Sequence, residues 1–170
     1  MQLDGEHLVD VLRDKINTLA SDTAIVGIHT GGVWVAQRLH AKLGGKHLLG
    51  SLAVTLHRDD FGSIGLHPQK SATEMPFSVD GRNVLLVDDV IHTGRTLRAA
   101  LNELFDFGRP ASVKLACLVD RGGREMPFNA DFVGMTMTLD ADQELTLMQV
   151  QPDNKLRFDI QPKRQTEAST

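Results

Sequence analysis

Residues 84–101 read VLLVDDVIHTGRTLRAAL. Val84 to Val87 form a short all-apolar run, the pattern of a strand buried on both faces of a parallel sheet. Asp88 and Asp89 follow at once, and after Val90, Ile91 and His92 a Thr93-Gly94-Arg95-Thr96 turn opens a helix. Leu97, Ala100, Leu101, Leu104 and Phe105 share one face of that helix, and Gly108 with Pro110 ends it. Backbone N–H groups at a helix start lack partners and the helix dipole favours negative charge there, so this turn is an anion cradle. Thr93 and Thr96 add hydroxyl donors, Gly94 allows close backbone approach, and Arg95 adds a cation. Carboxylates touching a phosphate repel it, but a short distance away they accept hydrogen bonds from sugar hydroxyls. A ligand with a phosphate at one end and a vicinal diol at the other fits: a ribose 5-phosphate moiety. The plainer reading has the Asp residues cap the helix and the Thr and Gly make the turn. It does not explain two carboxylates directly after four apolar residues.

Outward from this segment the chain alternates strands and helices. Leu8, Val11, Leu12, Ile16 and Leu19 recur at helical spacing behind Asp4, a candidate N-cap. Ala24 to Ile28 is a second buried strand, running into His29-Thr30-Gly31-Gly32. An amphipathic helix follows, with Val35, Leu39 and Leu43 inward, closed by Gly44-Gly45. Ser51 to His57 alternates as a strand and ends in Arg58-Asp59-Asp60. Residues 61–82 show no periodicity and are punctuated by Gly and Pro, which predicts a flexible active-site loop. Val113 to Val119 is a further strand, ending in Asp120-Arg121-Gly122-Gly123-Arg124. Leu145 to Val150 and Leu156 to Ile160 flank a turn and predict a C-terminal β-hairpin. The reading is an open α/β sheet with ligands at the carboxyl ends of its strands. It makes 1–162 a single domain and 163–170 a polar tail.

Composition narrows the class. The chain has 170 residues, 41% hydrophobic and 24% charged, with a formal net charge of −4, the balance of one globular domain. One cysteine, Cys117, excludes an internal disulfide framework. No apolar run approaches the roughly 20 residues that span a bilayer, and the N-terminus lacks a signal-peptide layout, so the expectation is a cytoplasmic protein with no membrane partner. The seven histidines show no paired metal-ligand spacing. Cys117 and Trp34 read as packing residues.

The Asp88–Thr96 segment resembles the phosphoribosyl pyrophosphate (PRPP) signature of the type I phosphoribosyltransferases. With TLHRDD at 55–60, the helix TLRAALNELFDFGRPA and the stretch LACLVDRGGREMPFNADFVG, the chain resembles the PyrR family of pyrimidine operon regulators, which are also uracil phosphoribosyltransferases. The resemblance implies a type I phosphoribosyltransferase fold: a mostly parallel central sheet flanked by helices, a small hood and the C-terminal β-hairpin. It implies that Asp88 and Asp89 hold the ribose hydroxyls and that Val90, Ile91, His92, Thr93, Gly94, Arg95 and Thr96 complete the PRPP site. Thr30, Gly31 and Gly32 become the pyrophosphate loop, where the family often has a non-proline cis peptide. Arg58 becomes a catalytic contact to pyrophosphate, Asp89 a proton acceptor, and Arg121, Phe132, Val133 and Leu145 the frame around the base. Uracil N1 then displaces pyrophosphate at C1 of the ribose through a transition state of oxocarbenium character. Mg²⁺ is the implied cofactor, held through PRPP and water with no protein metal ligand. The implied partners are PRPP, uracil and the product UMP, and the implied assembly is a homo-oligomer, a dimer or higher.

Two departures from the family stand out. Gly31 occupies the position where PyrR proteins usually carry Arg, which removes one phosphate-facing cation and predicts weaker pyrophosphate binding through backbone amides. Residues 125–144 contain no Lys or Arg and five acids, where RNA-binding members are basic. Acids on that surface oppose RNA, whose affinity rests on phosphate contacts. Arg13, Lys15, Arg38, Lys42 and Lys114 remain as the alternative basic patch. Two other readings stay open: a UMP-sensing, RNA-binding attenuator with little catalysis, and a phosphoribosyltransferase for a purine base.

Overall fold

The computed structural model describes residues 2–54 and 72–164. Arg58 and residues 61–71 of the expected loop lie outside the described residues.

Asp4 caps the first helix as its sequence position predicts, its carboxylate accepting from the His7 N–H at 3.2 Å. Strand β1 (Gln2–Asp4) leads into α1 (Gly5–Ile16), then β2 (Ala24–Ile28), α2 (Gly31–Lys42) and β3 (Leu49–Leu52). Next come β4 (Asn83–Ile91), α3 (Arg95–Asp106), β5 (Ser112–Asp120), β6 (Phe132–Thr136), β7 (Gln143–Val150) and β8 (Lys155–Pro162). Five strands form one sheet in the order β3-β2-β4-β5-β6, every neighbouring pair parallel. A separate antiparallel sheet, β1-β8-β7, is the hood.

Each face of the parallel sheet carries its own core. Leu8, Leu12, Ile16, Val35 and Leu39 of α1 and α2 pack with Ile25, Leu85, Val87 and Leu118, and Leu156 and Phe158 of β8 join them. On the opposite face Leu97, Ala100 and Leu104 of α3 pack with Val26, Ile28, Leu86 and Cys117. Because β2 is followed by β3 on one side and β4 on the other, the chain reverses direction across the sheet between β2 and β4. A crevice opens at the carboxyl ends of strands at such a reversal.

Four differences from the sequence reading have physical causes. β4 continues four residues past Val87, because Asp88, Val90 and Ile91 keep pairing with Cys117, Val119 and Asp120. The strand expected at Ser51–His57 begins at Leu49, since parallel pairing with Ile25 to Ile28 starts there, and its described part ends at Leu52. β1 and β6 are too short to show a periodicity. Residues 72–82 are fastened rather than free: Ser51 and Glu74 exchange backbone hydrogen bonds of 2.8 and 2.9 Å, and Val79 is buried.

The first turn of α2 lies against β2 and β4. A Cβ on Gly27 would come within 2.7 Å of Val33 Cα, and one on Gly32 would fall on the Val87 carbonyl oxygen. The obstructing atoms are backbone, which cannot swing aside. Gly32→Ala is therefore expected to destabilise the fold by about 2 kcal/mol or more, read as a lowered urea midpoint. An unchanged midpoint would show that α2 is free to retreat from the sheet.

Candidate active site

Successive side chains of a strand point to opposite faces, and this separates the two carboxylates at the end of β4. Asp88 is buried and borders a cavity of about 70 Å³ lined by Val90, Ile91, His92, Thr93, Gly94, Thr96 and Leu97. Asp89 borders a second cavity of about 280 Å³, lined by Thr30, Gly31, Trp34 and Val90 on one side and Glu144, Leu145, Thr146 and Leu147 on the other. Val90 lines both, so the two cavities adjoin across the end of β4. Each carboxylate accepts from the following backbone N–H at 2.9 Å, Asp88 from Asp89 and Asp89 from Val90.

The smaller cavity lies at the 93–96 turn, where the sequence reading expects an anion cradle. Gly94 sits at φ 91° in the left-handed region, which disfavours any side chain, and α3 begins there with no acidic residue in its first turn and no side-chain cap. Thr93 Oγ1 accepts from the Arg95 N–H at 3.2 Å.

The larger cavity joins the Thr30-Gly31 loop to the hood. The His29–Thr30 peptide is cis. A Cβ on Gly31 would fall on the Asp89 carboxylate, 2.6 Å from its Cγ. The absence of a side chain at 31 thus lets Asp89 lie against the loop. Burial holds the His29 imidazole below its ordinary pKa, with Glu74 acting weakly the other way, and Ser51 Oγ lies 3.2 Å from its Nε2.

The sequence reading gave the loop after β5 only Arg121, as part of the base frame, yet Arg124 and Glu125 of this loop brace the 93–96 turn. Glu125 and Met126 donate their N–H groups to the Thr93 carbonyl at 2.8 and 2.9 Å, and Arg95 pairs with Glu125 at 2.6 Å. Arg124 grips Asp120 with both ends of its guanidinium, at 3.0 and 2.7 Å, and donates to the carbonyls of His92 and Phe128 at 2.9 and 2.7 Å. Burial raises the Asp120 pKa, but the Arg124 and Gly122 hydrogen bonds outweigh it and hold the carboxyl below its ordinary value of 3.8. The only advance sign of this brace was the DRGGRE string, whose use depends on a contact across some thirty residues of chain.

Of the expected base frame, Leu145 lines the larger cavity. Arg121 lines neither cavity. It ties the end of β5 to the start of β7, donating to the Gln143 carbonyl at 3.4 Å, and its Nε is buried without a hydrogen-bond partner. Phe132 and Val133 are not brought to the site. Because β6 runs parallel to β5, they sit at its entry, opposite Ala116 and Cys117. Phe132 packs near Thr18, Leu19 and Lys114, and Val133 packs into the core beneath α3. Trp34, read as packing, does pack on the core and also lines the larger cavity. Burial pushes the Cys117 thiol far up and leaves it inert.

The phosphoribosyl transferase domain family matches residues 4–152. Among solved structures, a hypoxanthine-guanine phosphoribosyltransferase from Bacillus anthracis shares the fold at a TM-score of 0.63 and 17% identity, over 81% of this chain and 83% of that one. A purine phosphoribosyltransferase from Pyrococcus horikoshii does so at 0.58 and 23%, over 79% and 82%. The fold and the family match define a pentosyl-transferring enzyme. Closer in sequence are the proteins named bifunctional protein PyrR. That of Pseudomonas aeruginosa is 54% identical over 72% of both chains, and that of Ralstonia nicotianae 48% identical over 92% of both. The chain belongs to the PyrR family of phosphoribosyltransferases.

The brace yields a prediction with a pH sign. A carboxyl whose pKa is lowered on folding contributes stability that is present above its unfolded pKa and lost as pH falls through the folded one. Wild type should therefore lose urea stability below about pH 4 more steeply than Asp120→Asn. Parallel pH profiles for the two proteins would remove Asp120–Arg124 from the account.

Proposed function

We propose that this protein transfers the ribose 5-phosphate group of PRPP to uracil, forming UMP and pyrophosphate. The observation that carries this reading is the pair of adjoining cavities at the end of β4. One is a phosphate-sized cradle of amides and hydroxyls bordered by Asp88, the other a larger space between a glycine loop and a hood strand, bordered by Asp89 and Glu144. The 5-phosphate takes the Thr93–Thr96 turn, where the hydroxyls of Thr93 and Thr96 and the dipole of α3 favour an anion. The ribose lies across Val90, with Asp88 and Asp89 accepting from its hydroxyls. The pyrophosphate takes the amides of Thr30 to Gly32, and the base stacks beneath Leu145.

The chain's own contribution to the chemistry is positioning and charge. Holding C1 of the ribose between the base and the loop supplies the orientation that a displacement requires. Asp89 lies beside that carbon's expected place, where its negative charge favours a transition state of oxocarbenium character and it can take the N1 proton of uracil. Mg²⁺ keeps several waters and favours phosphate oxygens over a protein cage. Asp89, half-buried beside the pyrophosphate loop, is the carboxylate that fits such an ion, and among the described residues no three acidic, His or Cys side chains form a cage. When bound, the ion offsets charge on the departing pyrophosphate. Arg58 is proposed to meet the same group.

The relatives' name declares two functions, and the second implied by the family resemblance is regulation of pyrimidine biosynthesis genes through RNA. In this chain the alternative basic patch is largely neutralised. Arg38 pairs with Glu6, Lys42 with Asp10 and Arg13 with Asp14, while Lys15 donates to the Val133 carbonyl. The family's regulatory role therefore rests here on weak phosphate contacts, and RNA affinity is expected to fall only shallowly with salt.

Pyrophosphate release from PRPP and Mg²⁺, measured with uracil, hypoxanthine, guanine and adenine in turn, tests the base. Activity with uracil alone is expected, and activity with a purine alone would replace this reading. Thr93→Ala combined with Arg95→Ala should abolish PRPP binding with unfolding unchanged. Normal PRPP binding by the double variant would show that the phosphate lies elsewhere.

A further inference from the structure

The larger cavity has two walls from separate elements: the first turn of α2 (Thr30, Gly31, Trp34) and the start of β7 (Glu144 to Leu147). One helical turn beyond Trp34, Arg38 ties α2 to the turn of the hairpin that carries β7. Its Nε donates to Glu6 Oε1 at 2.8 Å, its Nη2 to the Asn154 carbonyl in the hairpin turn at 2.6 Å, and its Nη1 to the Trp34 carbonyl at 3.2 Å. The same Glu6 oxygen accepts the Leu156 N–H of β8 at 2.9 Å. Both side chains are mostly buried, at 20% and 29% exposure, so this pair is shielded from the screening that weakens surface ion pairs. One guanidinium thus fastens α2 to α1 and to the hairpin turn, and through Glu6 to the start of β8.

We infer that Arg38, with Glu6, is a positioning residue for base binding, which sets the gap between Trp34 and the hood strand. The inference rests on the proposed placing of the base in that cavity. The clamp touches neither the Thr93–Thr96 cradle nor the carboxylates of β4. Its loss should therefore loosen the base side and leave the phosphate side alone. The buried Leu145, Leu147, Leu156 and Phe158 hold the hood to the core without it, so the fold survives.

Arg38→Ala is expected to raise KM for uracil about tenfold, while KM for PRPP and kcat stay within about threefold. Arg38→Lys keeps the charge but loses the planar three-way fork, and should behave like the alanine variant. Glu6→Gln keeps an acceptor oxygen for Arg38 and Leu156 but loses the charge, and should raise KM for uracil less than Arg38→Ala does. Trp34 is the only tryptophan in the chain, so its fluorescence reports the wall directly: acrylamide should quench it more readily in Arg38→Ala. Equal rises in both KM values, or unchanged KM and unchanged quenching, would overturn the inference. A wild type inactive with uracil would instead overturn the proposed function, and the quenching comparison alone would then decide whether the clamp sets the wall. Should Arg38→Ala fail to fold, the lysine variant carries the same comparison.

Discussion

The first turn of α2 approaches β2 and β4 so closely that a single methyl group at Gly27, Gly31 or Gly32 would strike backbone or the Asp89 carboxylate. The site depends on this approach. It brings the loop after β2 against the end of β4, closes the crevice at the reversal of strand order, and sets Asp89 beside Thr30-Gly31. A bulkier first turn would push α2 outward and take Trp34, and with it one wall of the larger cavity, away from the hood. At Gly31, where the resemblance leads one to expect a cation, the space is occupied by the edge of the Asp89 carboxylate.

The second constraint is strand alternation. Two adjacent aspartates read as a pair acting on one diol, but consecutive residues of a strand face opposite ways, and each carboxylate borders its own cavity. A ligand that satisfies both must straddle the strand end at Val90. A ribose carrying a phosphate on one side and a leaving group on the other has that shape. The Asp120–Arg124 brace completes the arrangement by tying the next strand's loop to the Thr93–Thr96 turn, which is held from outside as well as by α3.

Much of this was legible in residues 84–101, because a buried strand, a charged break and a helix start are local patterns. The capped helix at Gly5, the hairpin and the glycine loop were legible for the same reason. What stayed hidden depends on contacts between distant segments. The role of Arg124 needs the His92 carbonyl, that of Arg38 needs Glu6 and Asn154, and Trp34 lines the cavity only because β7 comes to face it. Phe132 and Val133 misled because they stand near a motif in sequence. The parallel direction of β6 puts them at the wrong end of the strand for the site.

The most direct test is a crystal structure of the protein with PRPP and Mg²⁺ bound. The account predicts the 5-phosphate in the Thr93–Thr96 turn, the ribose across Val90 between Asp88 and Asp89, and the pyrophosphate on the amides of Thr30 to Gly32. A ligand held with its phosphates elsewhere, or with both carboxylates on one side of it, would contradict the split site on which the account is built.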